Sequence, residues 1–283
     1  MPLGECLPGV GNPALDRSGR RTRFRMENAY ADRTMGHVDR VYPSPDRGNV
    51  TGRRVRTYIG LGANVGDADA TLASAVATLD DLPGARLRGV SRLYATVPVG
   101  VTDQPEFRNA AVALDVPALA DPATGALALL STLKRLERDF GRRPRKRWGP
   151  RELDLDLLVF GRARLAIERP AGARSLDAGP PGGPLDPSAV ANLLVVPHPA
   201  ADARLFVLAP LADLVPGLVP PGWGRSIETA QRQRLAAEGP DAVRPVATWD
   251  QAARSWRPIQ PRLRTGNVAP QLPRSSAPAG HGP

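Results

Sequence analysis

A chain of 283 residues that is 42% hydrophobic and 23% charged carries enough apolar surface for a buried core and need not be disordered throughout. No uninterrupted apolar run of about 18 residues suggests a membrane span, the first residues lack the basic start and apolar stretch of a secretory signal, and the lone Cys6 excludes an internal disulfide, which makes the cytoplasm the expected compartment. The net charge of +10 suggests nucleic acid until it is located: residues 1–55 carry ten Arg against six acids, residues 225–283 carry nine Arg against four, and the middle is nearly balanced.

The first 53 residues are polar, Arg-rich and aperiodic, and are expected to be a disordered tail or an extension upstream of a later start at Met26 or Met35. The apolar run 55–61 predicts a strand, followed by a Gly-punctuated turn at 62–67 and a helix capped by Asp67 or Asp69, with Leu72, Val76 and Leu79 at helical spacing. Residues 86–96 and 109–116 read as strands joined by the loop 98–106. Asp121 caps a second expected helix whose inner face is marked by Leu127, Leu130, Leu133 and Leu136. A basic loop leads to a strand over 152–160; an irregular insertion at about 168–190 follows, and then a short apolar strand over 193–196. The order strand, helix, strand, strand, helix, strand predicts an α+β, ferredoxin-like sandwich with a mainly antiparallel sheet. The domain is placed at 54–237 and a disordered Pro/Arg-rich C-terminal tail at 238–283, so a chain cut to about 50–240 is expected to keep its turnover.

Chemistry concentrates in the segment Arg142 to Leu158. Residues two apart on a strand share a face, which puts Asp154 and Asp156 together with α-carbons roughly 6.6 Å apart, while Leu153, Leu155 and Leu157 point to the core. Such a pair is either a solvated strand face or a divalent-cation site. Six cations between Arg142 and Arg151 form a positive field, either an exposed loop, a nucleic-acid contact or a seat for a polyanion. Carboxylates for Mg²⁺ beside arginines for phosphate are what phosphoryl transfer uses. Trp148 is either a stacking platform or a loop anchor. Gly60, Gly62 and Gly66 miss both the dinucleotide-binding and the Walker spacing, and read as a tight turn that permits close backbone approach. Phe107 and Asn109, two apart, can present a ring and a carboxamide to a flat heterocycle, or belong to the core. His198, followed by Arg204 and Phe206, is the single histidine outside the tails. An RNA-binding sheet needs exposed strand aromatics in a run that this chain lacks.

Four ordered blocks, 58–67 (YIGLGANVGD), 93–115, 136–161 (with RWGPRELDLDLL) and 196–210 (VPHPAADARLFVLAP), resemble the 6-hydroxymethyl-7,8-dihydropterin pyrophosphokinase family over about 55–222. The resemblance implies a ferredoxin-like enzyme of folate biosynthesis, an ATP-dependent diphosphotransferase that moves the β,γ-diphosphate of ATP onto the pterin hydroxymethyl group and releases AMP. It implies that Asp154 and Asp156 bind two Mg²⁺ and that Arg142 and Arg151 steady the transferred diphosphate. Glu137, Arg145, Trp148, Leu157, His198 and Arg204 would lie on the ATP side. Thr96, Val97, Val99, Phe107, Asn109 and Phe206 would form the pterin pocket. The implied partners are ATP and the pterin, with neither nucleic acid nor membrane, and a monomer is expected. The insertion at about 168–190 and Leu193, where some members carry arginine, depart from the family pattern.

Overall fold

The computed structural model describes residues 52–98, 103–142, 149–169 and 191–259. Strand β1 (Arg54–Ala63) lies in a sheet between β4 (Phe107–Pro117) and β5 (Asp154–Phe160), antiparallel to both. On the far side of β4 come β2 (Arg86–Val90) and β3 (Leu93–Thr96), and β3 continues the sheet to β8 (Val243–Asp250) and β9 (Ser255–Pro258). A separate hairpin pairs β6 (Leu165–Glu168) with β7 (Asn192–Val196). The order β5-β1-β4-β3, every pair antiparallel, is the ferredoxin-like arrangement expected from the alternation of periods.

Helix α1 (Ala68–Asp80) begins where the Asp67 carboxylate accepts from the Ala70 N–H at 3.0 Å. Helix α2 (Pro122–Asp139) begins with Asp121 accepting from the Thr124 N–H at 2.9 Å and Pro122 in the first turn. Both helices cover one face of the sheet, where Ile59, Leu61, Val112, Leu114, Leu153, Leu155 and Leu157 meet Leu72, Leu79, Leu129 and Leu133. The buried stripe of α2 is Ala126, Leu129, Leu133 and Leu136; Leu127 and Leu130, expected on it, are only partly buried. Ala126, Leu129, Leu133 and Leu136 recur at spacings of three and four, one helix face on which Leu127 and Leu130 fall at the flanks.

The other face is covered by α3 (Leu205–Leu214) and α4 (Ile227–Glu238), neither of which had been expected, packed on Tyr58, Ala111, Ala113, Leu158 and Val159. A register shift opposite Tyr58 and Ile59 puts one extra residue into β5. That bulge turns Leu158 and Val159 to the second face and returns Phe160 to the first.

Two expectations are corrected. The strand placed over 86–96 is broken at Ser91 and Arg92; there Ser91 Oγ accepts from the Ala111 N–H at 2.9 Å, so β4 keeps its partner across the break. The boundary at 237 is too early, because β8 pairs with β3 and Val243 and Ala247 are buried. Arg and Pro within β8 disguise it, since one of its faces meets water. The expected tail and insertion at 1–51, 170–190 and 260–283 lie outside the described residues. Among the described residues no helix is long and apolar enough to cross a membrane.

Candidate active site

The face shared by Tyr58, Gly60 and Gly62 on β1 carries Asp154 and Asp156 on one side and Asn109 and Ala111 on the other. Register aligns Asp154, Gly62, Asn109 and Tyr94 in one row across four strands, and Asp156, Gly60 and Ala111 in the next. Gly62 places no side chain between Asp154 and Asn109, whereas the Leu158 side chain lies over Gly60, 3.3 Å from where a Cβ would stand. A Cβ on Gly62 would stand 3.4 Å from Asn109 Oδ1 and 3.9 Å from Asp154 Cβ.

At the carboxylate end, Arg142 Nη1 donates to Asp154 Oδ1 at 2.7 Å and pairs with Glu137 Oε2 at 2.5 Å. Arg151 Nη1 donates to Asp154 Oδ2 at 2.6 Å. Glu137, buried at the end of α2, accepts from Lys134 Nζ and from the Leu155 N–H through Oε1, each at 2.7 Å. Lys134 also donates to the Leu155 carbonyl at 3.0 Å. Lys134, one of two lysines in the chain, is thus part of the network although the sequence reading passed over it; its place one helical turn before Glu137 was the available signal. Burial pulls the Lys134 ammonium down, but the charges of Asp156, Glu137 and Asp154 outweigh it and hold the group above its ordinary value. Burial pushes Asp154 up, and Arg151, Lys134 and Arg142 overcome it, so this carboxylate stays ionised. Burial also raises Glu137, against the pull of Lys134, and Asp154 adds to the rise.

The loops entering β4 and β5 are tied to β1 by Asn64, 3% exposed. Its Oδ1 accepts from the Arg151 N–H at 2.8 Å, while Nδ2 donates to Gln104 Oε1 at 3.0 Å and to the Pro105 carbonyl at 3.1 Å. The sequence marks this segment only as a tight turn, and Asn64 gains its role from burial, since a carboxamide bracing two loops has no periodic signature.

At the other end, Asn109 Nδ2 donates to Thr96 Oγ1 at 2.8 Å, and Thr96 lies opposite Phe107 in register. Phe206, at the start of α3, packs against the cluster of Tyr94, Leu205, Ala209 and Val243 on this same face. Arg204 stands over the Phe206 ring, its guanidinium carbon 5.8 Å from the centroid. Val97, beside Thr96, is 60% exposed. Leu157 is 3% exposed within the opposite core, which removes its side chain from the nucleotide side expected for it; period-2 alternation sends it there. Val99, Arg145 and Trp148 lie outside the described residues.

His198 is fixed beside β5 by its N–H, which donates to the Leu158 carbonyl at 2.9 Å. The Ala200 N–H donates to His198 Nδ1 at 3.3 Å, which leaves the proton on Nε2. Burial holds the imidazole below its ordinary value, Asp156 opposing and Arg204 assisting, so it is a neutral Nε2–H donor at pH 7. His198 also lines a cavity of about 580 Å³ with Arg164, Val195, Pro199, Asp202 and Trp223, a size suited to a small-molecule ligand.

One sheet face therefore joins a cluster of paired charges to a buried carboxamide, with Phe107 two residues along its strand and Phe206 packed on Tyr94 of the same row. A family model described as 7,8-dihydro-6-hydroxymethylpterin-pyrophosphokinase (HPPK) matches residues 58–216, more than half of the chain. The chain belongs to this family. As an HPPK it is a pyrophosphokinase, a diphosphotransferase with ATP as co-substrate. It is 37% identical over 191 residues to the 2-amino-4-hydroxy-6-hydroxymethyldihydropteridine pyrophosphokinase of Methylorubrum extorquens, covering 68% of this chain and 98% of that relative. The enzyme of the same name from Bacillus subtilis is 36% identical over 157 residues, 56% of this chain and 76% of its own. A mitochondrial folate synthesis bifunctional protein of Arabidopsis thaliana is 37% identical over 157 residues, 23% of its length. Among solved structures, an HPPK-DHPS in complex with substrates gives a TM-score of 0.51 at 13% identity, covering 73% of this chain and 48% of the solved one. Wild-type Plasmodium falciparum HPPK-DHPS gives 0.51 at 13% identity, with 74% and 47% covered. At those identities the likeness concerns the fold, and this HPPK spans about half of either solved chain.

Proposed function

We propose that this HPPK transfers the β,γ-diphosphate of ATP to the hydroxymethyl oxygen of 6-hydroxymethyl-7,8-dihydropterin over Gly62, with the nucleotide phosphates at the Asp154 end and the pterin at the Asn109 end. The observation that carries the reading is the row Asp154, Gly62, Asn109, which puts a charge-balanced carboxylate and a buried carboxamide on one face with no side chain between them.

Among the described residues no group of three or more His, Cys, Asp or Glu side chains could hold a metal ion. Mg²⁺ is commonly bound by one or two carboxylates plus substrate phosphates, so a bare Asp pair fits an ion that arrives with the nucleotide. Asp154 and Asp156 would hold two such ions; when bound, Mg²⁺ neutralises phosphate oxygens and makes the β-phosphorus a better electrophile. The chain's own residues do the rest. Arg142 and Arg151 already flank Asp154 and are placed to share their N–H donors with the diphosphate as charge shifts onto it. Lys134 and Glu137 lock the backbone of Leu155 between the two aspartates, which fixes their spacing. His198 offers Nε2–H, and Arg204 its guanidinium, to phosphate oxygens, and Arg145 and Trp148 would add to the nucleotide side. Phe107 and Phe206 would stack the pterin ring while Asn109, oriented by Thr96, bonds its edge and the backbone near Val97 and Val99 borders it. The bond from the hydroxymethyl oxygen to the β-phosphorus forms as the bond from that phosphorus to the bridging oxygen of the α-phosphate breaks. AMP departs with that oxygen, and the hydroxyl proton is released to solvent. Positioning and charge neutralisation carry such a transfer, so no strong general base is required.

The test is AMP formation from MgATP with and without 6-hydroxymethyl-7,8-dihydropterin, for the wild type and for Asp154→Asn and Asp156→Asn. Pterin-dependent AMP release that collapses in both folded variants is expected. Release unaffected by either substitution would remove the Asp pair from the mechanism.

A further inference from the structure

Past residue 216, where the family match ends, the chain returns to the sheet as β8 and meets the strand that borders the proposed pterin pocket. Val243 lies opposite Thr96 in register, and Thr96 lies opposite Phe107, so one row joins β8 to two residues of that pocket. Val243 is also a buried member of the cluster against which Phe206 packs. Next to it, Arg244 Nη2 donates to Glu106 Oε1 at 2.6 Å. Glu106 immediately precedes Phe107, and Arg108 on its other side pairs with Asp69 at 3.1 Å.

We infer that β8 is a positioning element of the pterin site, with Val243 supporting the Phe206 side and the Arg244–Glu106 pair setting the approach of the chain into Phe107. The inference rests on the assignment of Phe107, Asn109 and Phe206 to the pterin. Arg244 and Glu106 are 51% and 39% exposed at their side chains, so their pair adds little to stability. Its consequence is geometric: it ties the residue before Phe107 to a strand that is itself held by the sheet. Displacing a substrate-positioning ring by a fraction of an ångström weakens binding and orientation of that substrate and leaves the other substrate's seat untouched. The Arg244–Glu106 pair lies on the opposite side of β4 from Asp154 and Asp156 and away from the Phe206 and Arg204 stack, so its loss falls on the pterin side.

The experiment uses the full chain with Arg244→Glu, which sets a like charge against Glu106, and Arg244→Lys, which keeps the cation. KM is measured for each substrate, with Asn109→Ala as reference and thermal melting as the check on folding. Arg244→Glu is expected to raise the KM for the pterin ~3- to 30-fold, with the KM for MgATP and the melting temperature unchanged and with Arg244→Lys restoring most of the loss. An unchanged pterin KM in Arg244→Glu, or a parallel rise in both KM values, overturns the role of β8 if Asn109→Ala raises the pterin KM. If Asn109→Ala leaves it unchanged as well, the pterin assignment of this face falls, and the role of β8 falls with it.

Discussion

Gly62→Ala separates stability from turnover. The backbone at Gly62 is ordinary strand, not one of the glycines with positive φ, so alanine is not strained there. The new methyl would lie 3.4 Å from Asn109 Oδ1 and 3.9 Å from Asp154 Cβ, both ordinary contacts, so no neighbour has to move. Replacing a strand glycine whose conformation alanine accepts stabilises a protein by about 0.4–1 kcal/mol, chiefly by narrowing the unfolded ensemble. The same methyl stands between Asp154 and Asn109, where the proposed reaction brings the hydroxymethyl group and the diphosphate together. One added methyl in a fitted site changes transition-state binding by about 1–3 kcal/mol, or roughly 10- to 200-fold in kcat/KM. Urea unfolding and steady-state AMP release on the same preparation read the two effects. The expected result is an equal or higher urea midpoint together with the loss in kcat/KM. Unchanged kcat/KM would refute the reaction line over β1, and a lower midpoint would refute the steric reading of Gly62. Gly60→Ala differs, because its Cβ would press on Leu158 Cδ1 at 3.3 Å and the stability gain should shrink or vanish.

Asn64→Ala removes three hydrogen bonds from a buried carboxamide, each worth about 0.5–1.5 kcal/mol net, so a loss of about 2–4 kcal/mol in urea unfolding is expected. Hydrogen exchange should rise at the amides of Gln104 and Arg151 together, since one side chain braces both loops. Asp115 is paired with the Arg56 and Arg88 guanidiniums, which hold its carboxyl below the usual carboxylate range. A depressed folded-state value contributes stability that is fully present above the unfolded value, about pH 4, and is lost as pH falls through the folded value. The gap in urea midpoint between wild type and Asp115→Asn should therefore be full at pH 7 and close in acid below pH 4; a gap that persists there would mean that the cost is steric. Cutting the chain after Gly239 strips Val243, Ala247 and the edge-to-face Trp249–Trp256 pair from the sheet, and should cost about 3 kcal/mol or more. A truncated chain as stable as the full one would show β8 and β9 to be dispensable.

The strands β1, β4 and β5, the helix starts at Asp67 and Asp121, and the Asp154/Asp156 pair were legible because each depends on neighbours in the chain. A period of two sets which side chains share a strand face, and a carboxylate just before an apolar-periodic run caps the helix. The four ordered blocks added the chemistry to be looked for. What the chain order could not supply is which faces meet. That Gly62 lies between Asp154 and Asn109 follows from the pairing of three strands far apart in sequence. Lys134, whose ammonium bonds both Glu137 and the backbone of β5, and Asn64, which braces two loops, acquire their roles through contacts that no local pattern encodes. The same holds for β8: an Arg- and Pro-bearing segment reads as a tail until β3 presents an edge with unpaired backbone groups, and pairing satisfies them. Local pattern therefore determined the elements and the chemical types at the site, whereas tertiary pairing decided their juxtaposition, because hydrogen-bonded register and burial are properties of strands brought together.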